Sequence, residues 1–101
     1  MSEKIGILER AIFALKPGTA DQFAAAYAKA RKLIEASPGC RKAEMRRGIE
    51  SPDSFILLVH WDKVDDHMKG FRESPAFAEW RALLSPFFAA PPAMEHYEAP
   101  L

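Results

Sequence analysis

Phe55-Ile56-Leu57-Leu58-Val59-His60-Trp61 is the stretch on which the fold turns. Five apolar residues run without a break from Phe55 to Val59, and the run ends at His60-Trp61. That pattern describes a strand buried on both faces. Just upstream, Ser51-Pro52-Asp53-Ser54 reads as a hairpin-type loop. The strand before that loop, Cys40 to Glu50, is of another kind. Arg41, Lys42, Glu44, Arg46 and Arg47 give it the charge that keeps an edge strand from unwanted pairing. Further upstream, Ile5 to Leu15 is a second doubly apolar strand. Ile5, Ile7, Phe13 and Leu15 fall on one face and Leu8, Ile12 and Ala14 on the other, with only Glu9 and Arg10 interrupting.

Helices fill the intervals. Lys16-Pro17-Gly18 makes a turn, and Thr19 with Gln22 has the spacing of a capping box. Phe23, Tyr27, Ala30 and Ile34 then recur at helical spacing until Ser37-Pro38-Gly39 stops the helix. After Trp61, Asp62 is placed to cap a second helical region from about Val64, which Gly70 and the Ser74-Pro75 step divide. Ser74 as cap with Pro75 in the first helical position is a restart signal. Phe77, Trp80, Leu84 and Phe88 form the apolar stripe of the second piece, and Pro86, Pro91 and Pro92 end it. Met94 to Ala99 alternates as a short last strand, again an edge.

Strand, helix, strand, strand, helix, strand is the ferredoxin-like βαββαβ order of the α+β class, with the first and third strands central. Two helices cover one face of such a sheet. The other apolar face of the central strands needs a cover, and a second copy of the chain supplies it. The expected assembly is a homodimer, a dimeric α+β barrel.

At 101 residues the chain holds a single domain, 1–101. Its 14 basic and 14 acidic residues cancel to zero net charge. That removes the electrostatic footprint of a nucleic-acid binder or a polybasic membrane-surface protein. No apolar run approaches the roughly 20 residues of a membrane span. Met1-Ser2-Glu3-Lys4 lacks the apolar core of a signal peptide. Cys40 is the single cysteine and has no internal partner, so a reducing, cytoplasmic setting is expected.

Among chemical motifs, GxGxxG, the Walker pattern and GxSxG are all missing. No pair among His60, His67 and His96 has the four-residue helical spacing of a zinc motif, so no metal is expected. Cys40 reads as a plain strand thiol. What stands out is His60-Trp61-Asp62 leading to His67 and then Phe71-Arg72. A strand end followed by a helix start puts side chains at the mouth of the space between sheet and helices. Histidine suits proton transfer near neutral pH, which makes His60 and His67 the candidate catalytic residues. His60 shares a face with Ile56 and Leu58, and Trp61 shares the other with Phe55 and Val59. Only one of the two can face the helix-side cavity. The competing reading makes Trp61 core, His60 an interface histidine and His67 a solvated one. Tyr27 lies on the buried helix stripe with a hydroxyl that needs a partner. Arg72 would hold an anion across the dimer or a surface ion pair.

Phe55 to Trp61, Ser74-Pro75-Ala76-Phe77, Phe87-Phe88-Ala89-Ala90-Pro91-Pro92 and Glu95-His96-Tyr97-Glu98 together resemble the antibiotic biosynthesis monooxygenase (ABM) domain family. The resemblance covers nearly the whole chain, from the first strand to Tyr97. It implies a homodimeric barrel with a pocket between sheet and helices in each subunit. The family mixes quinone-forming monooxygenases, haem-degrading enzymes and members of unknown activity. The quinone-forming members oxidise phenolic polyketides with molecular oxygen and no cofactor. A base draws the phenol's proton, the phenolate reacts with oxygen, and the peroxide loses water to give a quinone, in a cavity that shields the intermediates. The haem-degrading branch uses an asparagine on the first strand, a tryptophan ending the third and a histidine ligand on the second helix. Trp61 matches, but Ala11 and Phe71 occupy the other two positions. The resemblance therefore implies a cofactor-independent monooxygenase acting on a small aromatic or phenolic compound. His60 and His67 would act as base or orienting groups, with Trp61, Phe71 and Tyr27 as the apolar wall. A non-catalytic binding or stress-response barrel, and an isomerase or lyase, are the alternatives that the same barrel supports.

Overall fold

A computed structural model describes residues 6–101; Met1-Ser2-Glu3-Lys4 and Ile5, the expected first residue of the first strand, lie outside them. Four strands, β1 (Ile7–Ala14), β2 (Cys40–Arg47), β3 (Ser54–Trp61) and β4 (Ala93–Tyr97), form one antiparallel sheet in the order β2-β3-β1-β4. The two apolar strands are central and the two charged ones are edges, as expected. Helices α1 (Ala20–Glu35) and α2 (Pro75–Leu84) pack against each other on one face.

Register decides which side chains meet the helices. Glu9 lies opposite Val59 on β3 and His96 on β4, and Ile7 lies opposite Trp61. The period of two then sets Glu9, Ala11 and Phe13 on the helix side with Phe55, Leu57, Val59 and Trp61, all of them buried. Full burial of a large apolar side chain contributes roughly 1.5–3 kcal/mol. Trp61, Phe23, Phe71, Ile34, Leu57, Leu84 and Val59 are the largest so buried and form the centre of the core. Leu8, Ile12, Ile56 and Leu58 point to the other face and are half-buried. Gly6 lets β1 approach β3 here. Its φ is +79°, and a Cβ would lie 2.2 Å from the Trp61 carbonyl oxygen.

The helix starts differ from two expectations. Thr19 stands at the N-cap of α1, but its hydroxyl donates to the Lys16 carbonyl (2.7 Å) and caps no helical N–H. Gln22 therefore completes no capping box: the turn at Lys16-Pro17-Gly18 claims the hydroxyl first. Asp62 does not cap the second helical region either. Its carboxylate pairs with Arg41 across the sheet edge, and its own N–H goes to the Gly39 carbonyl. Ser74 does cap α2, accepting from the Phe77 N–H at 3.3 Å with Pro75 in the first turn. Between these points lies a π-helical segment, Asp66–Phe71, closed by an N–H of Arg72 donating to the His67 carbonyl at 2.9 Å. Gly70 sits inside it and does not break it. Such wide turns recur at functional sites.

Candidate active site

Between the inner face of the sheet, the π-helical segment and α2 lies a cavity of about 550 Å³. Its walls are rich in aromatic rings, with Phe13, Phe71, Phe77, Trp80 and Phe88 all lining it beside smaller apolar residues such as Ala11 and Met94. Phe71 meets Phe77 and Trp80 edge-on, at 5.5 and 5.7 Å between ring centroids, so these walls are held by mutual packing. Glu9 and His67 reach the lining side by side, and Arg72, Arg81 and Ser85 add further polar groups to it.

The cluster around Glu9 and His67 is assembled from four elements. β1 supplies Glu9, β3 supplies Trp61, the π-helical segment supplies His67 and Phe71, and β4 supplies His96. The Trp61 indole Nε1–H donates to Glu9 Oε1 at 2.9 Å. His67 stacks on Trp61, with ring centroids 5.4 Å apart and planes 22° from parallel. Its Nε2 lies 3.5 Å from the same Glu9 oxygen, and its Nδ1 lies 2.9 Å from His96 Nε2. Glu9 and His67 are each 3% exposed, while His96 is half-buried.

Burial dominates the acid–base behaviour. It raises the Glu9 carboxyl to about 7, against the lowering pull of the Trp61 N–H and the Arg72 charge. Burial also lowers His67 to about 4, helped by His96 and by Arg72. Near neutral pH His67 is therefore a neutral ring, and Glu9 is poised between its two forms. The two nitrogens of His67 face different partners, so Glu9, His67 and His96 are connected in series and do not converge on one point. Among the described residues no group of three or more His, Cys, Asp or Glu side chains is placed to hold a metal ion.

The structure brings some of the expected site residues together and separates others. His67, Phe71 and Arg72 line the cavity, and Trp61 stands directly behind Glu9. Arg72 lies with its guanidinium 5.5 Å from the Phe77 ring centroid. His60 does not join them: it is exposed on the opposite face of the sheet, across from Leu8 on β1 and Lys42 on β2. One-residue parity decides this, because burying Trp61 inward sends His60 outward. Tyr27 is also outside the lining. Its ring meets Trp80 edge-on at 6.0 Å, and its buried hydroxyl has no partner among the described residues.

Two residues of the site were not anticipated. Glu9 reads in the sequence as an interruption of an apolar strand, yet its odd position shares the row of Ile7, Ala11 and Phe13. An acid on the inward row of a central strand was the available signal. His96 stands in the sequence as a histidine of the last strand with no catalytic role assigned, and its meeting with His67 depends on a register between strands far apart in sequence.

The family model for antibiotic biosynthesis monooxygenases matches residues 7–83. A solved structure from Bordetella bronchiseptica that carries the same family name is 40% identical. It aligns over 94% of this chain and 97% of its own, with a TM-score of 0.90. The uncharacterised protein YczJ of Bacillus subtilis (strain 168) is 32% identical over 92 residues, 91% of this chain and 97% of YczJ. SnoaB of Streptomyces nogalater, described as a cofactor-independent oxygenase, aligns with a TM-score of 0.78 over 92% of this chain and 91% of its own. At 15% identity that likeness concerns the fold alone. No helix among the described residues is long and apolar enough to cross a membrane. On the match over residues 7–83 and the relatives at 40% and 32% identity, the chain belongs to the antibiotic biosynthesis monooxygenase family.

Proposed function

We propose that this chain is a cofactor-independent monooxygenase that oxidises a small phenolic or related aromatic compound with molecular oxygen, acting as a cytoplasmic homodimer. The observation that carries the reading is the cavity: about 550 Å³, with five Phe and Trp rings in its lining and the buried Glu9 and His67 side by side on its wall. That volume falls in the usual range for small-molecule sites. A flat aromatic substrate packs among Phe71, Phe77 and Trp80 with its hydroxyl toward Glu9 and His67. His67 serves proton transfer there. Arg72, on the same wall, favours negative charge on the phenolate as it does on Glu9.

The chemistry needs little else from the protein. Loss of the hydroxyl proton gives an electron-rich phenolate, which oxygen oxidises. A carbon–oxygen bond forms to give a peroxide, and its O–O bond then breaks with loss of water. One oxygen atom ends in the quinone and the other in water, so oxygen is both oxidant and atom source. The apolar walls exclude bulk water from the reactive intermediates. Ala11 and Phe71 give no ligand atom where the haem-degrading branch has its asparagine and histidine, which supports chemistry without haem.

The outer face supports the dimer. Leu8, Ile12, Ile56 and Leu58 are clustered by register on a face that no helix covers. A stable pairing there would bury more than about 1,000 Å² in total.

Oxygen uptake with a panel of hydroquinones and anthrones tests the activity. Turnover that requires oxygen but no added metal is the expected result. Saturable binding without turnover would make the protein a binding barrel, and product formed without oxygen would make it an isomerase or lyase.

A further inference from the structure

We infer that Glu9 is the proton acceptor of the cavity, and that His67 and His96 form a relay carrying its proton to the protein surface. This rests on the reading of the cavity as the place where an acidic hydroxyl binds. The geometry is the argument. A carboxylate on the cavity wall lies 3.5 Å from one nitrogen of a buried imidazole, whose other nitrogen lies 2.9 Å from a half-buried second imidazole. Glu9 and His67 are equally buried, and the line ends at the more exposed His96. The 3.5 Å step is longer than a hydrogen bond, as such contacts often are before substrate binds.

Other groups around Glu9 hold it in place without competing for the proton. The Trp61 indole on β3 donates only, fixing one carboxyl oxygen. Arg72, after the π-helical segment, and Arg81, on α2, are the cations on the cavity wall. The faces of Phe13 and Ala11 beside Glu9 are apolar. A carboxyl near 7 takes and releases a proton at neutral pH, and an imidazole near 4 passes a proton on without keeping it.

The transfer balances. At rest Glu9 is a carboxylate and His67 donates its Nδ1–H to His96 Nε2. The substrate O–H bond breaks and an O–H bond forms on Glu9. Glu9 gives that proton to His67 Nε2 as the Nδ1–H passes to His96, which releases its Nδ1 proton to water. Both rings now carry their protons on Nε2, so the line donates inward. Returning one proton by the same route to the peroxide oxygen restores the starting tautomers. Over one turnover the relay carries one proton out and one back.

Two measurements test this, one of them without substrate. In nitrogen-15-labelled protein, with Trp80→Phe used for assignment, the Trp61 indole N–H resonance should shift with a midpoint at about pH 7. Glu9→Gln keeps a carbonyl acceptor for the indole and should abolish that step. A wild-type resonance that stays flat, or an unchanged step in Glu9→Gln, overturns the assignment. In oxygen uptake with a hydroquinone, Glu9→Gln should lose about 100-fold or more of kcat. His96→Ala, a change at a half-exposed position, should lose about tenfold and recover on addition of imidazole, which a merely structural role would not allow. Glu9→Gln within about threefold of wild type, or a His96→Ala loss that imidazole leaves untouched, contradicts the relay. If wild type oxidises no phenol, the monooxygenase reading fails separately and the indole titration alone decides whether Glu9 is the acceptor.

Discussion

His60 and His67 are the same residue type seven positions apart, and they inhabit opposite sides of one sheet. His60 is exposed on the outer face between Leu8 and Lys42, whereas His67 is 3% exposed beside Glu9 and Trp61. The contrast shows that the site is not made by histidine as such. It is made by burial, which pushes Glu9 up and His67 down, and by partners that only the inner face provides. Five substitutions can break or sharpen that contrast.

The largest effect is expected at Trp61. Trp61→Ala would empty the centre of the core and orphan the Glu9 carboxyl, costing about 3–5 kcal/mol of stability. Its strand neighbour His60→Ala should cost less than about 1 kcal/mol, because it removes an exposed ring. Urea denaturation of both variants checks the pair, and equal losses would contradict the assignment of faces.

The next effect is in pH dependence. Glu9 titrates at about 7 in the folded chain against an ordinary 4.5, so between these values the folded state holds the extra proton and stability falls as pH rises. His67 titrates at about 4 against an ordinary 6.5, so there the unfolded state holds the extra proton and stability rises with pH. In wild type the two slopes nearly cancel over their shared window. Glu9→Gln removes the first and leaves the second. Relative to wild type it should gain stability as pH increases, by on the order of 3 kcal/mol between about pH 4 and pH 8. Urea midpoints across that range read the difference, and parallel curves for the two proteins would refute it.

A smaller effect separates the histidines in activity. His67→Ala should lower oxygen-dependent turnover at least about tenfold while the protein stays folded. His60→Ala should stay within about twofold once the assembly is shown to be intact, since His60 does not reach the cavity. Steady-state oxygen uptake beside sedimentation distinguishes a lost proton step from a loosened dimer. The mildest consequence for the cavity comes from the outer face itself. Leu58→Asp places a charge in the apolar cluster and should convert the dimer to a monomer in sedimentation at micromolar concentration. A wild type that sediments only as a monomer would remove the proposed cover for that face.

Much of this architecture is legible in the sequence. The Phe55 to Val59 run and the charged Cys40 to Glu50 segment assign central and edge strands, because burial and solvation select residue types directly. Spacing also shows that His60 and Trp61 must take opposite faces, but which of them turns inward is left for the structure to decide. Other features are legible only from long-range geometry. The His67–His96 contact needs the β1–β4 register and the turn of a π-helix, neither of which leaves a local pattern. Thr19 and Asp62 have the right residue types for caps, but a nearby carbonyl and a cross-sheet arginine take their oxygens. Glu9 shows how a functional residue hides. It obeys the parity of its strand and violates only the expectation that an inward position be apolar, and such local conflicts are where sites are found.

A crystal structure with a bound dihydroxyanthraquinone, a phenol already oxidised at the quinone position, tests the central claim most directly. The account predicts the rings between Phe71, Phe77 and Trp80, with a hydroxyl roughly 3 Å from Glu9 or His67 Nε2. A ligand seated on the outer face against Leu58 and His60, or lying in the cavity with its hydroxyls turned away from Glu9 and His67, would contradict it.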